Sequence, residues 1–212
     1  MPTLYMIQLG ARPKGRLIEQ HDIFFGIADK VTDLIPAINM HWPEVKNSWH
    51  IDSYQAVTCV YGVDGKWYQV SVANVQPYQL TQGYHETISE LQDNPCLDKL
   101  YFINLGGYQK GSIEEFHYKL LVVAPTESAA KAYARKTQFY RDFSYSDELT
   151  PFSGASHIDD KHCVDVDEIY DVAGLIGTGR LIIKPIDDDS NIVEDKSFVG
   201  YLNIKKLKML GL

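Results

Sequence analysis

Residues 4–22 of this chain, LYMIQLGARPKGRLIEQHD, return as residues 100–118, LYFINLGGYQKGSIEEFHY. At a constant offset of 96, ten of the 25 positions from Leu4 to Ala28 are identical. Average composition gives roughly 5–7% identity by chance, or one or two matches in such a window. A second match follows at an offset of 107, where WHIDSY at 49–54 meets SHIDDK at 156–161. The pattern predicts two copies of one domain, the second with a longer internal loop. The expected organisation is a first repeat over 1–75, a connecting segment over 76–99, a second repeat over 100–186 and a C-terminal extension over 187–212.

Each copy opens with a short apolar run, Leu4–Leu9 or Leu100–Leu105, which reads as a strand covered on both faces. A Gly-bearing loop and a second strand from His21 or His117 follow. The next segment is helical. In the first copy Leu34, Ala37, Ile38 and His41 form the stripe, and Pro36 requires a first-turn position with Thr32 as cap. In the second, Thr126 is the N-cap of TESAAKAYARKTQFY, with Ala130, Tyr133, Ala134 and Thr137 on one face. Two more strand-like runs complete each copy, Ala56–Tyr61 and Trp67–Val72 in the first, Val164–Ile169 and Arg180–Ile186 in the second. The expected fold is α+β: two tandem β-β-α-β-β units with largely antiparallel sheets, helices on one face, and a pseudo-twofold relation. The alternating run Phe198–Ile204 adds a candidate edge strand.

Composition narrows function by exclusion. The net charge of −8 over 212 residues disfavours a phosphate backbone as partner, and Lys205, Lys206 and Lys208 are too few to reverse that. The chain has no apolar run of 18 residues and no charged-then-apolar leader, so no membrane association and a cytoplasmic location are expected. Cys59, Cys96 and Cys163 form neither a disulfide framework nor a C-x-x-C zinc pattern. No cofactor and no metal are expected.

Residues kept in both copies are the candidates for chemistry. Gly10, Lys14 and Gly15, matched by Gly106, Lys110 and Gly111, form a Gly-x-x-x-Lys-Gly loop that suits an anion, since its glycines expose backbone N–H groups beside a lysine. A strand rather than a helix follows, so the preferred reading is a plain strand-to-strand turn using glycine for positive φ. Glu19 and His21, matched by Glu115 and His117, share a strand face at i, i+2. His50 and Asp52, matched by His157 and Asp159, do the same if extended. Imidazoles beside carboxylates suit acid–base or metal chemistry. They equally suit polar anchors that hold a loop on a sheet, which is the preferred reading.

The opening strand, the Lys-Gly turn, the Glu-x-His and the His-Ile-Asp together resemble the bacterial domain of unknown function 1543 family, over about residues 4–72 and 100–186. Gly106-Gly107 fits that family's opening better than Gly10-Ala11. The resemblance implies one or two copies per chain and no established activity. The expected function is a non-enzymatic binding or interaction module for an unknown protein or small molecule, as a monomer with pseudo-dimeric repeats or a homodimer. The alternative is a small-molecule or metal-dependent hydrolase-like enzyme that uses the Glu-x-His and His-Ile-Asp residues.

Overall fold

The computed structural model describes residues 1–73, 98–143, 145–146, 153–154, 157–158, 169–177, 179–187 and 192–212, with backbone alone for the three dipeptides. In chain order the elements are β1 (Thr3–Ala11), β2 (Gln20–Ala28), α1 (Ile35–His41), β3 (His50–Ala56), β4 (Cys59–Tyr61) and β5 (Trp67–Ala73). There follow β6 (Lys99–Tyr108), β7 (Glu115–Ala124), α2 (Glu127–Ala134), α3 (Gln138–Asp142), β8 (Tyr145–Ser146), β9 (Ser153–Gly154) and β10 (His157–Ile158). The last are β11 (Ile169–Asp171), α4 (Val172–Leu175), β12 (Arg180–Pro185), β13 (Ser197–Asn203) and α5 (Ile204–Leu210). The fold is α+β, and the ladders of β1 with β2 and β3, of β3 with β13, and of β6 with β7, β10 and β11 are antiparallel.

The chain forms two compact units. The first holds Met1–Val60, 69–73 and the described part of 175–212. The second holds Tyr61–Tyr68 and the described part of 88–174.

In the first unit the sheet order is β13-β3-β1-β2. Ile7, Leu9 and Ala11 alternate along β1 and so face one side, where they pack with Phe24, Leu34, Ile35, Ile38, Trp49, Ile51, Tyr54 and Leu207. Pro36 lies in the first turn of α1 as expected, but Leu34 occupies the N-cap position, and its side chain has no acceptor for the cap. Thr32 is engaged elsewhere: its N–H and hydroxyl donate to the Leu212 carbonyl at 2.8 and 2.6 Å. The C-terminal segment is part of this unit, with β13 at the sheet edge and Leu207 of α5 fully buried.

Asp195, ahead of β13, fastens that segment to the chain after β3. Its Oδ2 accepts from the N–H groups of Thr58 and Cys59 at 2.7 and 3.0 Å, and its Oδ1 accepts from the Thr58 hydroxyl at 2.6 Å. Burial first, then the charges of Asp195 and Glu194, push the Cys59 thiol above its ordinary range. A raised thiol pKa leaves less thiolate, the reactive form, at pH 8. Cys59 is therefore expected to alkylate more slowly than a free cysteine at that pH, as read by peptide mass mapping. Asp195→Ala should accelerate the reaction by removing one raising charge, and should lower stability by about 1–3 kcal/mol through lost charge-assisted hydrogen bonds.

In the second unit β6 pairs with β7 on one side and with β10 and β11 on the other. Its core gathers Tyr101, Ile103, Leu105, Val122, Ala124, Ala130 and Ala134. Thr126 caps α2 by accepting from the Ala129 N–H at 3.2 Å, as its sequence position predicts. The expected single helix is two. Thr137 donates to the Ala134 carbonyl at 2.8 Å and accepts from the Tyr140 N–H at 3.3 Å, so it ends one helix and caps the next.

Candidate functional site

The β1–β2 ladder sets Gly10 opposite His21, and the β1–β3 ladder sets Gly10 opposite His50. Both imidazoles therefore leave the sheet on the face away from the Ile7–Leu9–Ala11 core. Asp52 joins them through a β-bulge. Along β3, Ile51 pairs with Leu9 and Ser53 with Gln8, so Asp52 is the extra residue. The same residue is bypassed on the other side, where Ile51 pairs with Leu202 and Ser53 with Val199. The insertion lets Ile51 and Tyr54, three residues apart, both reach the core while Asp52 stays with His50 on the opposite face.

Four titratable side chains meet there. His50 Nε2 lies 2.9 Å from Glu19 Oε1 and 3.1 Å from Asp52 Oδ1. His21 Nε2 lies 3.4 Å from Asp52 Oδ2 and 3.9 Å from Glu19 Oε2. The two rings differ in exposure: the His50 side chain is 8% exposed and that of His21 is 48%. Ionised carboxylates offer only acceptors, so an Nε2 set between two of them carries the ring hydrogen. Asp52 Oδ2 is buried and accepts no hydrogen bond among the described residues. The structure thus brings together Glu19 and His21 from the start of β2 with His50 and Asp52 from the start of β3. Among the described residues no group of three or more His, Cys, Asp and Glu side chains is set to hold a metal ion. In this cluster His50 Nε2 is engaged with both carboxylates, and His21 Nε2 stands farther from them.

In the second unit His117 Nε2 lies 4.0 Å from Glu115 Oε2, and β10 sets His157 opposite Gly106 as β3 sets His50 opposite Gly10. The side chain of His157 and all of Asp159 lie outside the described residues. The register also revises the alignment of the copies. The 107-residue offset holds through Ile158, but Ile169 stands opposite Ile103 as Tyr54 stands opposite Ile7, an offset of 115.

The six candidates of the Gly-x-x-x-Lys-Gly loops fall into two places. Gly15 and Gly111 carry φ of 86° and 87° in matching turns, closed by Arg16 N–H to Pro13 carbonyl and Ser112 N–H to Gln109 carbonyl, each at 3.1 Å. Lys14 and Lys110 precede them, exposed. Gly10 and Gly106 lie within strands instead. A Cβ on Gly10 would run into His50 Nε2 and stand 2.8 Å from Asp52 Oδ2, so its bare backbone gives the cluster its room.

One contributor carries no signal in the sequence. Tyr201, opposite the Asp52 bulge on β13, covers the buried imidazole with ring centroids 4.2 Å apart. Its repeat-less segment offered nothing for comparison. His41, on the expected stripe of α1, lies on the other face of the sheet, where it pairs with Asp22 at 2.8 Å and meets the Phe24 ring edge-on.

The family model described as Domain of Unknown Function (DUF1543) matches residues 16–66. The resemblance read from the sequence holds there. That span contains Glu19, His21, His50 and Asp52 entire. The crystal structure of protein Il1583 from Idiomarina loihiensis superposes with a TM-score of 0.58 at 20% identity, over 96% of this chain and 98% of that one. At that identity the likeness is one of fold. No curated protein matches this chain in a sequence comparison. No helix among the described residues is long and apolar enough to cross a membrane.

Proposed function

We propose that the first unit is a small-molecule acid–base site of hydrolase-like character centred on His21. One observation carries this reading: Glu19, His21, His50 and Asp52 converge within 4 Å, with one imidazole buried and the other half-exposed. His50 holds Glu19 and Asp52 in place from below. The carboxylates orient His21, whose open side is where a substrate proton is exchanged. General acid–base catalysis of this kind supplies about 10²–10⁴-fold in rate.

The test is a panel of chromogenic esters, amides and phosphoesters assayed with wild type and His21→Ala. The expected result is turnover of one class, reduced about 10²-fold or more in the variant while its thermal midpoint is retained. No turnover across the panel, with small molecules still retained on purification, favours the non-enzymatic binding module instead. The exposed aliphatics Leu17, Ile18 and Ile113 beside the two hairpin turns support that second reading.

The site is proposed to exist in duplicate ancestry, in repeats over 4–72 and 100–186. Matching hairpin registers, matching positive-φ turns and a histidine strand opposite each strand glycine support the duplication.

A further inference from the structure

The two hairpin loops form a controlled comparison. Their turns share φ at the glycine, the closing hydrogen bond and a protruding aliphatic residue, Leu17 in one and Ile113 in the other. Their charge differs. Where the first loop has Arg12, Lys14 and Arg16, the second has Tyr108, Lys110 and Ser112. The turn forms without the two arginines, so hairpin geometry does not require them. In a chain of net charge −8 they place three exposed cations within five residues, and none makes an ion pair with a described residue.

Their position gives them a use. The loop springs from Ala11 and Gln20, the last pair of the β1–β2 ladder, next to the Gly10–His21 pair. Its far end is Glu19, which folds back onto His50 at 2.9 Å. The base of the cationic loop is therefore the rim of the cluster. Leu17 and Ile18 add apolar surface to the same loop, 95% and 73% exposed. Cations beside exposed aliphatics on one loop complement a ligand with a charged head and an apolar body.

We propose that the ligand of the Glu19–His21–His50–Asp52 site is a small organic anion, a carboxylate or phosphate on an apolar body. Arg12 and Arg16 bind the charge, and Leu17 and Ile18 bind the body. The inference rests on the site reading above and names its ligand class. The arginines act as selectors. They offset the repulsion that Glu19 and Asp52 exert on an incoming anion, and a neutral analogue gains nothing from them.

Benzoate and its neutral isostere benzamide test this, titrated while the ring protons of His21 are followed by NMR. Benzoate is expected to shift the His21 signals and to bind about 10-fold or more tightly than benzamide, with an affinity that falls as salt is raised. In Arg12→Ser/Arg16→Ser, which reproduces the polarity of the second loop, benzoate should weaken to the level of benzamide. Inorganic phosphate should bind more weakly than benzoate, because it lacks the apolar body.

Equal binding of benzoate and benzamide overturns the inference, as does no benzoate shift at millimolar concentration or an affinity untouched by the double substitution. Binding to anionic vesicles but not to benzoate overturns it as well, and assigns the loop to a lipid surface. Charge-selective benzoate binding supports it even if no panel substrate is turned over, in which case only the acid–base reading falls. Turnover indifferent to substrate charge and to Arg12 and Arg16 has the opposite meaning: the site reading stands and this inference falls.

Discussion

Leu207→Ala is expected to cost the first unit about 2–5 kcal/mol, a large share of the stability of a domain this size. Leu207 is fully buried and packs in the same cluster as Ile7, Leu9, Ile38 and Trp49. It reaches that cluster from α5, at the far end of the chain. The flanking segment leaves little scope for relaxation into the void. Asn203 caps α5 by accepting from the Lys206 N–H at 2.9 Å, and the Leu212 carbonyl is held by Thr32. Phe198 of β13 stacks on Tyr54 with centroids 5.0 Å apart. A helix held at both ends cannot collapse onto an alanine, so the cavity term adds to the lost transfer energy. Thermal unfolding should show a midpoint lower by several degrees or more, at about 2–4 °C per kcal/mol. Limited proteolysis distinguishes the mechanism. Loss of the unit as a whole gives cleavage within 1–60 and 192–212 together. Cleavage confined to 192–212 with 1–60 protected would mean that the terminal segment peels off alone, and that the core stands without it.

That segment marks the edge of what was legible in the sequence. The hairpin, its register and its turn glycines were readable because the chain states them twice. Period-two alternation in β1 and β2 then fixed which side chains share a face. The convergence of Glu19-x-His21 with His50-x-Asp52 was not readable, because it depends on β3 crossing to pair with β1 through a bulge at Asp52. Bulges come from the balance of core packing on one face against polar groups on the other, and single-strand periodicity carries no trace of that. The helix boundaries went astray for a related reason. Thr32 looks like a cap but meets Leu212, a contact from the far end of the chain, and Thr137, expected on the stripe of one helix, ends that helix and caps the next through its bonds with Ala134 and Tyr140. Tyr201 was invisible because its role is set by position opposite Asp52, not by its own neighbours in sequence.

Gly10→Ala is expected to disrupt the cluster more than its single added methyl group suggests. The new Cβ would overlap His50 Nε2 and stand 2.8 Å from Asp52 Oδ2 and 3.0 Å from His50 Cε1. Contacts that short force one partner to move. Gly10 is fixed, since it is paired on both sides, with His21 and with His50. The imidazole is confined too, with the Tyr201 ring over it and two carboxylates at its nitrogen. The strain falls on the cluster itself, at about 1–3 kcal/mol for an overpacked site. His50 should leave its place, and Glu19 and Asp52 should lose their shared partner. Thermal unfolding reads the energy, and the His50 ring signals in NMR read the displacement. A double-mutant cycle isolates the cause. In a His50→Ala background the same Gly10→Ala change should cost much less, because the overlapping ring is gone, which leaves an interaction energy of about 0.5–3 kcal/mol between the two positions. Full additivity of the two substitutions would show that position 10 does not press on His50. The bare backbone of Gly10 would then have no part in building the site.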